Sequence, residues 1–138
     1  LDQSAEGEDL TDYHLEAGIA SYHAMAPTFA ETNWAGILSL YEVLEIGTES
    51  PIVALNKAVA LGMVHGYPAG ITEILRIRKL GLLSNYYLLP AALAEFYRRD
   101  GQFGNSLIYY NEALKLVGTI PEKRLIEKRI KSCKENID

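Results

Sequence analysis

Residues 93–116 read LAEFYRRDGQFGNSLIYYNEALKL, and the spacing of their apolar and small residues decides the fold. Leu93, Ala94 and Tyr97 stand at i, i+1 and i+4, which puts a large, a small and an aromatic side chain on one helical face. Gly101 then opens a turn, and Phe103, Ser106, Tyr110 and Ala113 share a face of a second helix. The small Ser106 and Ala113 let the two backbones approach while the rings fill the space between them. Two tightly packed antiparallel helices follow, an arrangement that serves protein contact far more often than catalysis.

Further helices can be read outward from this pair, seven in all. Asp12 to Ala26 carries Leu15, Ile19, Tyr22 and Ala26 at helical spacing, and Pro27 closes it. Thr32 or Asn33 caps the next helix, where Trp34, Ile37, Leu38, Tyr41 and Leu44 form a wide apolar face before Gly47. Pro51 starts a third at its first turn, where the missing N–H costs nothing. That third helix, PIVALNKAVALGMV, is apolar nearly all round, so a central position is expected. HGYPAG breaks it, and Ile71, Ile74, Leu75 and Ile77 make a short fourth helix. The hairpin supplies the fifth and sixth, and Pro121 starts a seventh with Ile126, Ile130, Cys133 and Ile137 as its buried stripe. Gly18, Gly36 and Gly62 fall inside helices at a cost of about 1 kcal/mol each, which marks them as points of close helix contact.

Composition narrows the function classes. The 138 residues suffice for one core, and 49% hydrophobic with 22% charged residues is globular. The net charge of -5 argues against a nucleic-acid binder, which needs a clustered basic surface. No apolar run approaches the roughly 20 residues that span a bilayer, so no membrane partner is expected. A single cysteine, Cys133, excludes an internal disulfide and a multi-cysteine zinc site and fits a reducing cytoplasm. The acidic opening LDQSAEGEDL has no signal-peptide character. Residues 1–11 read as a linker from an upstream domain, and residues 12–138 as the helical domain.

Gly66 and Gly101 are 35 residues apart, close to the period of about 34 in tetratricopeptide repeats. The expected fold is therefore all-α, with tetratricopeptide-like stacked antiparallel hairpins. YHLEAGIASYHA (13–24), TNWAGILSLYEVL (32–44), SPIVALNKAVAL (50–61), GYPAGI (66–71) and YYLLPAALAEFYRRDGQ (86–102) also occur in one order and spacing. Together they resemble the C-terminal extension of a group of bacterial extracytoplasmic-function (ECF) RNA polymerase sigma factors, a tetratricopeptide-like domain behind the two DNA-reading domains. The likeness covers residues from about Asp12 to Ile130. It implies a non-catalytic regulatory domain without a cofactor, whose partners are the sigma domains of the same full-length chain and RNA polymerase core. Promoter DNA would be engaged by the full-length protein rather than by this domain. The family turn after the third helix, usually acidic, is here built on His65, Gly66, Pro68 and Gly70, with the glycines and proline meeting the backbone demands of the bend. Leu93-Ala94 replaces an expected Arg-Ala, and Asn33 stands where the family has Asp before the tryptophan.

Candidate chemistry is sparse. His14 and His23 lie nine apart on one helix, about 180° from each other, and so cannot share a metal from that helix alone; His65 sits in a turn. Glu42 and Glu45 stand one turn apart without a histidine partner motif, as on a solvated face. Cys133 reads as a core thiol, and GMVHGYPAG lacks the Lys-Ser/Thr of a phosphate-binding loop. For partner contact the candidates are Asn56, Lys57, Tyr67, Tyr86 and Arg98, polar or amphipathic residues within apolar elements. Tyr67, Tyr86, Tyr87, Tyr97, Tyr109 and Tyr110 offer stiff contact area, with Tyr97 and Tyr110 expected in the core. The last helix adds Lys123, Arg124, Lys128 and Arg129, for which a salt-bridge-laced solvated face is the default and a docking face the alternative. Two other readings stay open: a free-standing peptide-binding adaptor, and a metal- or ligand-dependent enzyme.

Overall fold

Six α-helices and no strand occupy the described residues, 34–45 and 50–137, of a computed structural model. They are α1 (Trp34–Glu45), α2 (Pro51–His65), α3 (Tyr67–Lys79), α4 (Leu88–Arg99), α5 (Phe103–Leu114) and α6 (Ile120–Ile137). The helix expected over Asp12 to Ala26, the proposed linker, Thr32, Asn33 and Gly47 lie outside the described residues. Each helix packs chiefly on its neighbours in sequence, α1 on α2, α2 on α3, α3 on α4, α4 on α5 and α5 on α6. Short connections turn the chain back each time, so the architecture is all-α, a stack of antiparallel helical hairpins.

Local chemistry sets most boundaries. Ser50 caps α2 by accepting from the Val53 N–H at 3.4 Å, with Pro51 in the first turn. Gly66 alone separates α2 from α3: its φ of 110° is closed to most side chains, and Pro68 then sits within the first turn of α3. The expected break over HGYPAG therefore shrinks to one residue, and α3 begins at Tyr67 rather than near Ile71. Gly101, with φ 81°, makes the corresponding turn between α4 and α5. α6 begins at Ile120 with a capping box. The Glu122 N–H reaches the Thr119 hydroxyl at 3.3 Å, and that hydroxyl reaches the Glu122 carboxylate at 2.7 Å.

The core has two parts, and α4 joins them. Leu89, Ala92, Leu93 and Phe96 face a cluster built with α1, α2 and α3. Ala91 and Ala94 face a second cluster with Tyr110 and Ala113 of α5 and Ile126, Ile130 and Cys133 of α6. Every residue from Leu88 to Phe96 is buried, so among the described helices α4 is central, and α2, which touches α1, α3 and α4, is central too. The hairpin packs as its small residues foretell: Ser106 and Ala113 are fully buried, and the Ser106 hydroxyl donates to the Ala94 carbonyl at 2.7 Å. Tyr110 is fully buried. Tyr97 is only half-buried, stacked on Tyr109 with centroids 5.6 Å apart. Ile137, placed on the buried stripe by its spacing, is 50% exposed because the last turn of α6 carries it past that cluster.

Gly62 confirms the close-contact reading. A Cβ built there would stand 2.6 Å from the Phe96 ring and 3.1 Å from the Gly70 Cα. Gly70 lies inside α3 and matters for this packing rather than for the bend; its Cβ would meet the same ring at 2.6 Å. Gly36 is exposed on α1, and Gly18 is outside the described residues.

Candidate functional site

The densest polar arrangement centres on Glu95, a fully buried residue of α4. Arg98 and Arg99, one turn further on, curl back to it: Arg98 donates from Nε at 3.2 Å and also from Nη2, and Arg99 from Nε at 3.3 Å. The Tyr110 hydroxyl of α5 donates to the same carboxylate, and Arg129 of α6 brings its Nε to 3.8 Å. One buried anion thus gathers groups from three helices. Burial alone would push the Glu95 carboxyl up, but the Arg98 hydrogen bond and the Arg129 and Arg98 charges outweigh it, holding the carboxyl at about 2. The Tyr110 hydroxyl moves the other way, raised first by burial and then by the adjacent carboxylate. An ionised acid whose donors come from α4, α5 and α6 fixes helix geometry. It offers no proton at neutral pH.

The expected contact residues do not form one surface. Asn56 is 2% exposed, so it presents no accessible group, and its amide finds no hydrogen-bond partner among the described residues. Arg98 is committed to Glu95. Tyr67 lies half-buried over Phe96, centroids 5.6 Å apart, and its hydroxyl accepts from Arg99 at 3.5 Å. Tyr86 is half-buried against the first core cluster, and Lys57 half-buried on α2 beside a small cleft shared with Glu73 and Arg76. In the turn, His65 and Pro68 are exposed, while Gly66 is partly and Gly70 fully covered.

The last helix divides its cations. Lys123, Arg124 and Lys128 are exposed and make no ion pair among the described residues, so the expected lacing of salt bridges is absent there. Arg129 turns inward to Glu95 and belongs to the structural network. Helical periodicity explains the split: Arg129 sits beside the buried Ile126, Ile130 and Cys133 stripe, whereas Arg124 and Lys128 lie on the opposite side.

Glu95 was not singled out from sequence, although a carboxylate within LLPAALAEF followed by arginines three and four residues later is the visible signal. Cys133 is buried with its Sγ 3.4 Å from the Ser106 hydroxyl, as a core thiol. Among the described residues no group of three or more His, Cys, Asp and Glu side chains converges, and no helix is long and apolar enough to cross a membrane. His14 and His23 lie outside the described residues; Glu42 is exposed, and the Glu45 side chain is not described.

Comparison with known proteins adds one relative. The chain is 29% identical over 119 residues to an uncharacterized protein of Rhizobium meliloti (strain 1021), an alignment that takes in 86% of this chain. It spans only 27% of that relative's length. No family model matches the chain, and no solved structure matches it.

Proposed function

We propose that this chain is a non-catalytic C-terminal regulatory domain of an ECF-type sigma factor. It acts in transcription initiation by contact with the sigma domains of its own full-length chain or with RNA polymerase, in the cytoplasm. The observation that carries the reading is the collinear set of sequence blocks from Tyr13 to Gln102, those of its residues that are described forming stacked helical hairpins. The Rhizobium relative bears on one part of the reading, a domain within a longer protein, since the matching sequence there is about a quarter of that protein.

Calorimetry of the 138-residue chain with a separately expressed sigma portion tests the proposal. Heat and co-elution at tens of micromolar are expected, with only weak binding of promoter duplex, since the net charge of -5 opposes phosphate contact. Charge reversal of Lys123, Arg124 and Lys128 probes the outer face of α6 as a docking surface. Arg129 is left intact, because reversing it would break the Glu95 network. No heat with the sigma portion, together with tight duplex binding, overturns the proposal in favour of direct promoter contact.

A further inference from the structure

The outer side of α6 carries mostly one sign of charge. Lys123, Arg124, Lys128, Lys131 and Lys134 are exposed there, and none of them makes an ion pair among the described residues. The acids on that side, Glu127 and Glu135, are fewer, also exposed, and equally without an ion pair among the described residues. A helical stack needs a polar outer face on its terminal helix for solubility. Mixed signs serve that purpose and pair along the helix at i, i+4, whereas α6 leaves its cations in excess.

The matching charge lies in the same chain. The first Lys or Arg of the sequence is Lys57, and the acids before it are densest at Asp2, Glu6, Glu8, Asp9 and Asp12. The carboxylates from Glu6 to Asp12 occupy about 20 Å of extended chain, and the α6 cations from Lys123 to Lys134 occupy about 17 Å of helix. The two rows of charge therefore agree in length as well as in sign. Between Asp12 and Trp34 the chain can reach about 70 Å fully extended, or about 45 Å with the helix expected over Asp12 to Ala26. A folded chain of this length has a radius of gyration of roughly 14 Å, so the tether is long enough.

We propose that the acidic segment from Asp2 to Asp12 docks along the outer side of α6 of its own chain, its carboxylates meeting the row of cations from Lys123 to Lys134. Charge complementarity selects the segment. Tethering selects the copy, because a linked segment is held at an effective concentration on the order of millimolar, above that of free chains at micromolar concentration. An acidic partner of α6 must then displace the segment before it binds. The contact requires nothing of the sigma domains and stands apart from the function proposed above.

Zero-length carbodiimide crosslinking of the 138-residue chain tests the contact. The reagent joins a lysine amine to a carboxylate as an amide only where the two touch, and takes up the released water as its urea. In the monomer band, peptide mapping should find the segment linked to Lys123, Lys128, Lys131 or Lys134, and not to Lys79 or Lys115, which are exposed elsewhere. The yield should fall about fivefold or more at roughly 0.5 M salt, where exposed charges are screened within a few ångströms. Lys128→Glu, Lys131→Glu and Lys134→Glu together should remove the links, with an unchanged circular dichroism spectrum because these side chains are exposed. Adding Glu6→Lys, Glu8→Lys and Asp9→Lys to that variant should restore links between the two segments. Links confined to a dimer band overturn the proposal, as do equal links to Lys79 and Lys115, no links, or a charge swap that restores none. Amide resonances of the isotopically labelled chain give a second measurement. Asp2→Asn, Glu6→Gln, Glu8→Gln and Asp9→Asn together should move resonances between Lys123 and Glu135 and leave those of α3 in place, and unmoved α6 resonances overturn the proposal.

Discussion

Glu95→Gln preserves the outline of the side chain and removes its charge, so it isolates what ionisation contributes to the fold. The ordinary value for the carboxyl is 4.5, and in the folded chain it is held at about 2. With each tenfold change in proton affinity worth about 1.4 kcal/mol, the ionised form contributes roughly 3 kcal/mol at pH 7. Because the folded value lies below the unfolded one, this contribution is complete above about pH 4.5 and is lost as the pH falls through about 2. Seen from the partners, the same loss leaves Arg98, Arg99 and Arg129 facing one another without their common anion, and the roughly 3 to 5 kcal/mol typical of breaking a buried pair is of the same size, not an additional cost. Native domains have a total stability of about 5 to 15 kcal/mol, so the variant should fold but be clearly weaker. Urea unfolding followed by circular dichroism gives the comparison across a pH series. The gap between native and variant should be about 3 kcal/mol at pH 7, about 1 kcal/mol at pH 3, and close near pH 2. Acids elsewhere titrate in both proteins and cancel. A gap below about 1 kcal/mol at pH 7, or one equal at pH 3 and pH 7, would refute the claim that an ionised Glu95 ties the three helices together.

Further outcomes follow from the packing. Ala113→Leu adds methylenes where a fully buried alanine meets the second core cluster, so the denaturant midpoint should fall by the equivalent of about 1 to 3 kcal/mol; an unmoved midpoint would mean that the hairpin has room there. Gly62→Ala places a Cβ 2.6 Å from the fully buried Phe96 ring, and a loss of similar size, about 2 kcal/mol, is expected in thermal or urea unfolding. Gly62→Ala combined with Phe96→Leu should recover part of that loss, which non-additivity in a double-mutant cycle measures directly. Phe96→Leu alone should destabilise through the void it leaves over Gly62 and Gly70.

What could be read from the chain alone is what neighbouring residues decide among themselves. Pro51 at a first turn, glycines 66 and 101 at the two hairpin turns, and the spacing of Phe103, Ser106, Tyr110 and Ala113 act within a few residues, and the structure places them as that spacing demands. The same local rules overextended at Ile137, which keeps the period of the stripe but runs past the packing that would bury it. Periodicity also gave no sign that α4, which carries Glu95, Arg98 and Arg99, would be as deeply packed as the nearly all-apolar α2. Among the described residues, α4 puts fully buried side chains into both core clusters, one on each side. The candidate contact residues were chosen for polarity within apolar surroundings, a pattern shared by a surface residue and by a member of a buried network. Arg98 and Arg129 proved to be the second kind, and Asn56 is covered, because burial depends on which helix lies opposite. Glu95 shows the reason most plainly. Its carboxylate is tolerable only where Arg98, Tyr110 and Arg129 converge, and residues 95, 110 and 129 become neighbours only when α4, α5 and α6 pack together.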